Sequence, residues 1–435
     1  MAAYCLPSCA AVQRARWAGA LRDILHGGAL EVLAERVPRR HPGPAHREPE
    51  ARACVLVQRV DGPQGHRRCC RWRAPSAGHR DGSAVSIGDT SFEGSVRGSA
   101  GCSVVTIIRV PQQWASEATL RYVQAMSNAH VSPDLELLLS ARRHDLGHGM
   151  VVGRALPQAA CRAVGPVVFL DHMGPSELRP GEGFDVRPHP HTGLATFTYL
   201  FEGEIVHRDS LGFVQTIRPG AVNVMIAGHG IVHSERATED TRRDGGRLHG
   251  IQLWIALPKV DEACAPSFVH HPADRFETLV NVGVRVRVLL GEAFGARSSV
   301  ELSSRPFFAV CELERGARLE TPLHVDDLAV YVVEGEIDAS GARLATLDVG
   351  VRAPGRSLSL AALEPSRVVL VGGAHLDGVS PSARGDRSPR QLEWNFVSST
   401  REGLEDAKRR WVRREFPTIP GDDRERIPLP GEREG

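Results

Sequence analysis

Lysine is nearly missing from this 435-residue chain. The sequence holds 53 Lys and Arg residues, and only Lys259 and Lys408 among them are lysines. With 52 acidic residues the formal net charge is +1. A nucleic-acid surface needs basic side chains clustered on one face, whereas this arginine excess indicates a compositional bias of the genome. We therefore predict no direct nucleic-acid binding.

Long apolar runs are also missing, since none approaches the length of about 18 residues that a membrane helix needs. The chain has no CxxC zinc spacing and no secretory signal. Its nine cysteines are an odd number spread over a long sequence, which indicates reduced thiols in the cytoplasm. A hydrophobic content of 42% with 24% charged residues is typical of a soluble globular protein with room for two or three domains.

Residues 1–125 differ in composition from the rest of the chain. They contain 17 arginines, no lysine and 10 acidic residues, and their apolar content is too broken to build a core. Three interpretations are open: a disordered or accessory extension, a targeting segment, or upstream sequence that precedes a true start at Met126. The composition favours the third. Within this stretch, residues 20–37 predict an amphipathic helix and "SVVTIIRV" predicts a short strand.

From about Leu135 onward, short apolar runs alternate with turn signals every few residues, which is the pattern of an all-β sandwich or barrel. The segment "FTYLFEGEI", which begins at Phe197, is repeated as "AVYVVEGEI" from Ala329, so that Tyr199 matches Tyr331. We predict two related β-barrels in tandem. A helix is predicted near the C-terminus, with Ser399 and Glu402 in a capping-box pattern.

Two pairs of residues suggest a metal site. His189 and His191 are two positions apart at the start of a strand-like run, so their rings share one face. His233 and Glu235 have the same spacing in "GHGIVHSE". Two strands that each offer an inward pair would build a site of three imidazoles and one carboxylate. That set suits non-haem Fe(II), with Mn, Ni or Cu as alternatives, and leaves two positions open on an octahedral metal. The competing interpretation is a set of buried polar residues without a metal.

The motifs "FLDHMGP", "PHPHTGLATFTYLFEGEIVHRDSLG", "GHGIVHSE", "GEAFG" and "WNFVSS" resemble the pirin family of the cupin superfamily. The resemblance implies an all-β bicupin of two tandem cupin (jelly-roll-like) barrels with a C-terminal helix. From its composition, the N-terminal extension before them is expected to be poorly structured. The N-terminal metal-binding barrel is expected at 135–258, and a metal-free barrel with the terminal helix at 270–430. The resemblance implies that iron is held by His189, His191, His233 and Glu235.

The sequence departs from its relatives at two positions near the site. Many cupins carry a glutamate four residues after the second histidine, where this chain has Ala195. His229 stands where many pirins have arginine, and we expect it to be a turn residue. His207, in "EIVHRDS", is a further candidate that could reach the mouth of the pocket.

The second barrel lacks the same pattern. The residues that precede Tyr331 by the same intervals at which His189 and His191 precede Tyr199 are Thr321 and Leu323. His324 is one residue out of register. We therefore expect the second barrel to hold no metal. His172 and His249 are expected to be ordinary polar residues that find partners. The polar stretch between about residues 375 and 396 predicts a surface loop.

Two functions follow from the resemblance. In the first, the chain is an Fe(II)-dependent dioxygenase that uses O₂ and a flavonol-like (quercetin-type) or other enol substrate, and Glu235 changes from ligand to base. In the second, it is a redox-sensing, iron-binding regulatory protein that acts by binding a protein partner. Some pirins are associated with quercetin 2,3-dioxygenase activity, and others with transcriptional co-regulation or with binding a metabolic enzyme.

Overall fold

The computed structural model describes residues 132–145, 151–379 and 390–432, together with the backbone of three strands nearer the N-terminus. The chain divides into two units, residues 1–130 and 131–435. No helix in the described part of the chain has the length and apolar character that a bilayer span needs.

The first unit contains an antiparallel sheet of three strands, in the order β1 (Leu30–Leu33), β2 (Arg52–Gln58) and β3 (Val104–Val110). The strand predicted in "SVVTIIRV" is confirmed as β3. Of the amphipathic helix predicted over residues 20–37, the structure describes Leu30–Leu33. There the prediction is wrong, because this backbone pairs with β2. The rest of that segment lies outside the described residues.

The first barrel of the second unit consists of two antiparallel sheets, one of seven strands and one of four. The larger has the order β15-β12-β9-β14-β7-β6-β5 and the smaller the order β11-β10-β13-β8. Their strands are β5 (Arg142–Asp145), β6 (Val151–Leu156), β7 (Val167–Leu178), β8 (Asp185–His191), β9 (Leu194–Glu202), β10 (Ile205–Asp209), β11 (Val214–Ile217), β12 (Val222–Ile226), β13 (Ile231–Arg236), β14 (Gly246–Ala256) and β15 (Ser267–His271). A short helix α1 (Glu239–Asp244) precedes β14, and a 3₁₀ turn (Ala273–Arg275) follows β15.

The second barrel repeats this plan, with a sheet in the order β16-β17-β20-β27-β22-β25-β4 facing a smaller one in the order β21-β26-β23-β24. Its strands are β4 (Leu135–Ser140), β16 (Leu279–Asn281), β17 (Val284–Leu290), β20 (Pro306–Leu313), β21 (Arg318–Glu320), β22 (Asp327–Glu334), β23 (Glu336–Ala339), β24 (Ala342–Ala345), β25 (Asp348–Arg352), β26 (Ser359–Ala362) and β27 (Ser366–Gly373). Two small hairpins complete the strands: β18 (Glu292–Ala293) with β19 (Ala296–Arg297), and β28 (Gln391–Glu393) with β29 (Phe396–Ser398). Helix α2 (Arg401–Val412) follows. The all-β fold of two tandem cupin barrels is confirmed.

The barrels exchange their outermost strands. β4, inside the range expected for the first barrel (135–258), pairs with β25 of the second. Conversely, β15 pairs with β12 of the first barrel, although it overlaps the start of the range expected for the second (270–430). Each exchanged strand extends a sheet of the other barrel, so that sheet's previous edge no longer carries unpaired backbone groups.

The two seven-stranded sheets pack against each other through one apolar core. Phe197, Tyr199 and Ile251 belong to it from the first barrel, and Phe308 and Tyr331 from the second. Because side chains alternate along a strand, the residues between these positions point into the two barrels.

The C-terminal segment returns to the first barrel. Helix α2 is confirmed, and its N-cap is Thr400, whose Oγ1 accepts the N–H of Gly403, so the predicted cap at Ser399 is wrong by one residue. Trp411 of the helix lies in one buried cluster with Phe396 and with Val232 of β13. The loop predicted between about 375 and 396 falls partly on residues 380–389, which lie outside the described residues.

Candidate metal centre

Three imidazoles converge inside the first barrel, on the neighbouring strands β8 and β13. His189 and His233 are directly opposite each other in the register and therefore point to the same face. His191 is two positions from His189, and its Nε2 lies 3.1 Å from Nε2 of His233. One ring nitrogen from each of the three residues falls within 4.8 Å of the others.

The outer face of β13 is held by the C-terminal segment. Ser234 and Arg236 alternate with His233 and therefore point away from the cluster. Asp422 accepts hydrogen bonds from both, at 2.7 Å from Ser234 Oγ and 2.6 Å from Arg236 Nη2. Residues beyond the second barrel thus fix the strand that carries a candidate ligand.

Two of the three rings are oriented by backbone carbonyls. His189 Nδ1 donates to the carbonyl of Arg187 at 2.8 Å, and His191 Nδ1 donates to that of Asn395 at 3.1 Å. A carbonyl only accepts, so each proton sits on Nδ1 and each Nε2 keeps its lone pair. Gly193 permits this approach of the C-terminal segment: it adopts φ +69°, and a Cβ there would collide with the carbonyl of Val397.

Burial keeps these imidazoles neutral. It lowers the pKa of His189 to about 4 and holds the pKa of His191 and of His233 well below the usual range, with repulsion from neighbouring histidines, His207 included, adding to the effect. His191 Nε2 carries a lone pair, and Nε2 of His233 lies 3.1 Å from it. Two nitrogens at right angles on a metal about 2.1 Å from each would be about 3.0 Å apart. The donor set therefore fits a divalent transition metal.

Glu235 faces the same interior as His233 but is not one of the three clustered residues. Its Oε1 accepts a hydrogen bond of 2.8 Å from Nε2 of Gln252 on β14. Burial raises the pKa of the Glu235 carboxyl, and the amide of Gln252 partly offsets this. Its role as fourth ligand stays a prediction. Gln252 carries no signal in the sequence, because an amide in an apolar strand belongs to no motif.

His207 is buried behind His233. Its Nδ1 lies 3.4 Å from His233 Nδ1, and its Nε2 lies 3.0 Å from Asp209 Oδ2. The ring also stacks on Phe268, with centroids 4.3 Å apart. His207 therefore contacts a candidate ligand from behind. The importance of Asp209 was likewise not visible in the sequence.

The other positions singled out in the sequence lie apart from the cluster. His229 is exposed in its turn, where its backbone N–H donates to the carbonyl of Cys264. Ala195 is fully buried in β9, between Ile226 and Ile255 of the neighbouring strands.

The corresponding residues of the second barrel have other partners. Thr321 is buried and its hydroxyl accepts the N–H of Leu358. Leu323 and His324 are exposed, and His324 Nε2 bonds the carbonyl of Glu292. His324 therefore points away from the barrel interior.

A second polar cluster lies between the barrels. His172 contacts the hydroxyl of Tyr331 through Nδ1 at 2.8 Å and His249 Nε2 through Nε2 at 2.7 Å. The other nitrogen of His249, Nδ1, lies 3.8 Å from Glu334 Oε1. His172 and His249 are thus not isolated polar residues, since they join the two barrels.

Comparison with known proteins places the chain in a family. The Pirin family model matches residues 149–255, and the model of the Pirin C-terminal cupin domain matches residues 308–417. A pirin-like protein of Caulobacter vibrioides is 46% identical over 302 residues, which cover 68% of this chain and 99% of the relative.

Solved structures agree with this match. A crystal structure of quercetin 2,3-dioxygenase from Acinetobacter baumannii has a TM-score of 0.61 and 32% identity, and covers 69% of this chain and 96% of that one. A second quercetin 2,3-dioxygenase structure from the same organism has a TM-score of 0.59 and 25% identity, and covers 65% of this chain and 98% of that one.

Proposed function

This chain belongs to the pirin family of bicupin proteins, and on that premise we propose that it is an Fe(II)-dependent dioxygenase of flavonol-like (quercetin-type) or other enol substrates. The observation that carries the proposal is the convergence of three neutral imidazoles, His189, His191 and His233, inside one barrel. The similar crystal structures titled quercetin 2,3-dioxygenase support the choice of substrate class.

The proposed ligands are the three histidines and Glu235. Three imidazoles with one carboxylate suit non-haem Fe(II), although other divalent transition metals bind such sets too. When bound, Fe(II) would supply the redox chemistry with O₂ and a Lewis-acid contact for the enol oxygen.

Glu235 is proposed as the base that takes the enol proton. Burial raises the pKa of its carboxyl, which brings its proton affinity closer to that of an acidic enol, as general-base catalysis requires. Gln252 donates to Oε1 of the carboxylate and leaves Oε2 as the atom that receives the proton. The same carboxylate would hold the iron and accept the enol proton.

The wall beside His191 is aromatic. Trp254 packs edge-on against the ring of His191 with centroids 5.0 Å apart, and its other side stacks on Phe169 at 3.9 Å. Both residues are buried, so this side of the centre excludes water. Exclusion of water protects a reactive, deprotonated enol from side reactions.

The test uses the full-length protein, loaded with Fe(II) under anaerobic conditions and then mixed with quercetin. On addition of O₂ we expect O₂ uptake in proportion to quercetin loss, with both atoms of ¹⁸O₂ recovered in products. The His191→Ala protein, treated identically, should consume neither. Full iron loading without O₂ uptake, both with quercetin and with a panel of simpler enols, would contradict the proposed dioxygenase activity.

A regulatory role is the second candidate, and one contact chain favours it. Phe213, half exposed in the turn after β10, packs on Phe268, which stacks on His207, which contacts His233. In this proposal, a protein partner that binds the exposed Phe213 would sense the oxidation state of the metal through these contacts. Partner retention that differs between Fe(II) and Fe(III) forms, without turnover, would select this role.

We also propose a cytoplasmic location. Cys161, Cys264 and Cys311, the cysteines in the described part of the chain, are all free thiols. Free thiols are typical of a reducing compartment.

A further inference from the structure

His233 differs from the other two clustered histidines in how its ring is held. His189 and His191 donate Nδ1–H to backbone carbonyls, which no substitution removes. The Nδ1 of His233 instead meets a side chain, that of His207, at 3.4 Å. The orientation of one candidate ligand therefore depends on side-chain chemistry.

The proton positions in this contact follow from Asp209. Its Oδ1 accepts the backbone N–H groups of Leu211 at 2.9 Å and Phe213 at 3.1 Å, while Oδ2 lies 3.0 Å from His207 Nε2. An ionised carboxylate only accepts hydrogen bonds. The proton of a neutral His207 ring therefore sits on Nε2, and its Nδ1 is an acceptor.

An acceptor at His207 Nδ1 requires a donor at His233 Nδ1. The proton of His233 then sits on Nδ1, and its Nε2 presents a lone pair toward Nε2 of His191, 3.1 Å away. The chain of contacts from Asp209 through His207 to His233 therefore selects the tautomer in which all three histidines face the centre with an unprotonated Nε2.

We propose that His207 and Asp209 are positioning residues, which fix the tautomer and ring orientation of His233 for metal binding. This inference rests on the proposed function only in taking the three-histidine cluster as a metal site. The hydrogen-bond partner of the non-ligating nitrogen of a metal-binding histidine sets which nitrogen binds, and loss of such partners typically weakens metal affinity by about 10–100-fold.

The same carboxylate also holds the turn between β10 and β11 through Leu211 and Phe213. Asp209 is fully buried and lies directly opposite His233 in the strand register. Turn geometry and ligand orientation are therefore coupled through one side chain, and a test must separate the two.

Two variants make this separation. His207→Phe keeps a ring to stack on Phe268 but removes the acceptor at Nδ1. Asp209→Asn keeps the size of the side chain and an oxygen for the turn, while its amide nitrogen faces His207 Nε2 as a donor. His207 Nδ1 then becomes the donor, and the proton on His233 moves to Nε2, where it blocks the metal. His270→Phe is the matched control, since His270 bonds Asn223 and not a clustered histidine.

The probe is Zn(II), titrated against a competing chelator into full-length protein. We expect the dissociation constant to rise by about 10–100-fold in His207→Phe and Asp209→Asn and to be unchanged in His270→Phe. In ¹⁵N-histidine NMR of the Zn(II)-loaded wild type, His207 should be protonated on Nε2 and His233 on Nδ1.

Unchanged Zn(II) affinity in both variants, or a Zn(II)-loaded wild type whose His207 is protonated on Nδ1, would overturn the proposal. The wild-type spectrum decides the point even where a variant does not fold. Zn(II) binding in the predicted pattern without any O₂ uptake by the iron form would refute the dioxygenase and leave the positioning roles intact.

Discussion

At the scale of single residues, the distinction that matters is whether a histidine stands on a strand or in a turn. His191 is completely buried on β8 and its ring is held by the carbonyl of Asn395. His229 lies in the exposed turn before β13, with its own backbone bonded to Cys264. Strand alternation fixes the direction of the His191 side chain but does not determine the direction of the His229 side chain.

We therefore predict that His191→Ala loses most of its bound iron, whereas His229→Ala keeps it. Removing one imidazole takes away a donor that no neighbouring side chain replaces at the correct distance, while the exposed ring of His229 has no place in the cluster. Iron per chain, measured side by side on the two purified variants and the wild type, tests this. A full site in His191→Ala together with an empty one in His229→Ala would refute the ligand assignment.

At the scale of elements, helix α2 and the residues after it brace, from outside, the sheet that carries the histidine cluster. Trp411 is buried against Phe416, donates its indole N–H to the carbonyl of Ile427, and lies in the cluster that includes Val232 of β13. The N–H of Ile427 in turn donates to the carbonyl of Pro188, next to His189. Both strands that carry the clustered histidines thus contact this segment.

Trp411→Ala should lower the free energy of unfolding by about 3–5 kcal/mol, the range for truncating a large buried aromatic residue. Val412→Ala, one residue on and half exposed, is the matched control and should change it by less than about 0.5 kcal/mol. Urea denaturation of both variants measures the difference. Equal effects would show that the helix packs without stabilising the barrel.

The elements also show what a sequence can predict. Alternation predicted correctly that His189, His191 and His233 share one interior, because the face of a side chain is a local property of its strand. Pairing is not local: nothing within Leu135–Ser140 indicates that it joins the second barrel. The partner of His191, Asn395, is 204 residues away and acts through its backbone, which has no side-chain signature.

At the scale of the whole molecule, two barrels of one plan have different interiors. Aligned on Tyr199 and Tyr331, the inward residues Thr196 and Thr198 of the first barrel correspond to Leu328 and Val330 of the second, and all four are buried. Hydroxyl groups line the interior that holds the histidines, and apolar side chains fill the other.

We therefore predict one tightly bound metal ion per chain. A divalent ion needs polar ligands that replace its water, and the described apolar interior of the second barrel supplies none at the positions of Leu328 and Val330. Elemental analysis of purified protein after dialysis measures the ratio. Two ions per chain, the second surviving in His191→Ala, would contradict the assignment.

The last prediction concerns the joint between the barrels, where His172 bonds the Tyr331 hydroxyl and His249. Burial, reinforced by the charges of His249 and Arg367, lowers the pKa of His172 to about 3, and burial also lowers the pKa of His249. In the unfolded chain a histidine has a pKa near 6.5. Between about pH 6.5 and 3, His172 is therefore protonated in the unfolded chain and unprotonated in the folded protein.

Stability must accordingly fall as the pH drops through that window, by up to about 1.4 kcal/mol per pH unit for each such histidine. His172→Gln keeps a hydrogen-bonding group beside Tyr331 but cannot take up a proton, so its unfolding free energy should fall less steeply between pH 6.5 and 4.5. Urea titrations of wild type and variant measure the two slopes. Both proteins are depleted of metal, so that the clustered histidines contribute equally to the two slopes. His324→Gln, at an exposed position, should keep the wild-type slope. If His172→Gln also keeps the wild-type slope, protonation of His172 does not govern the acid stability of the two barrels.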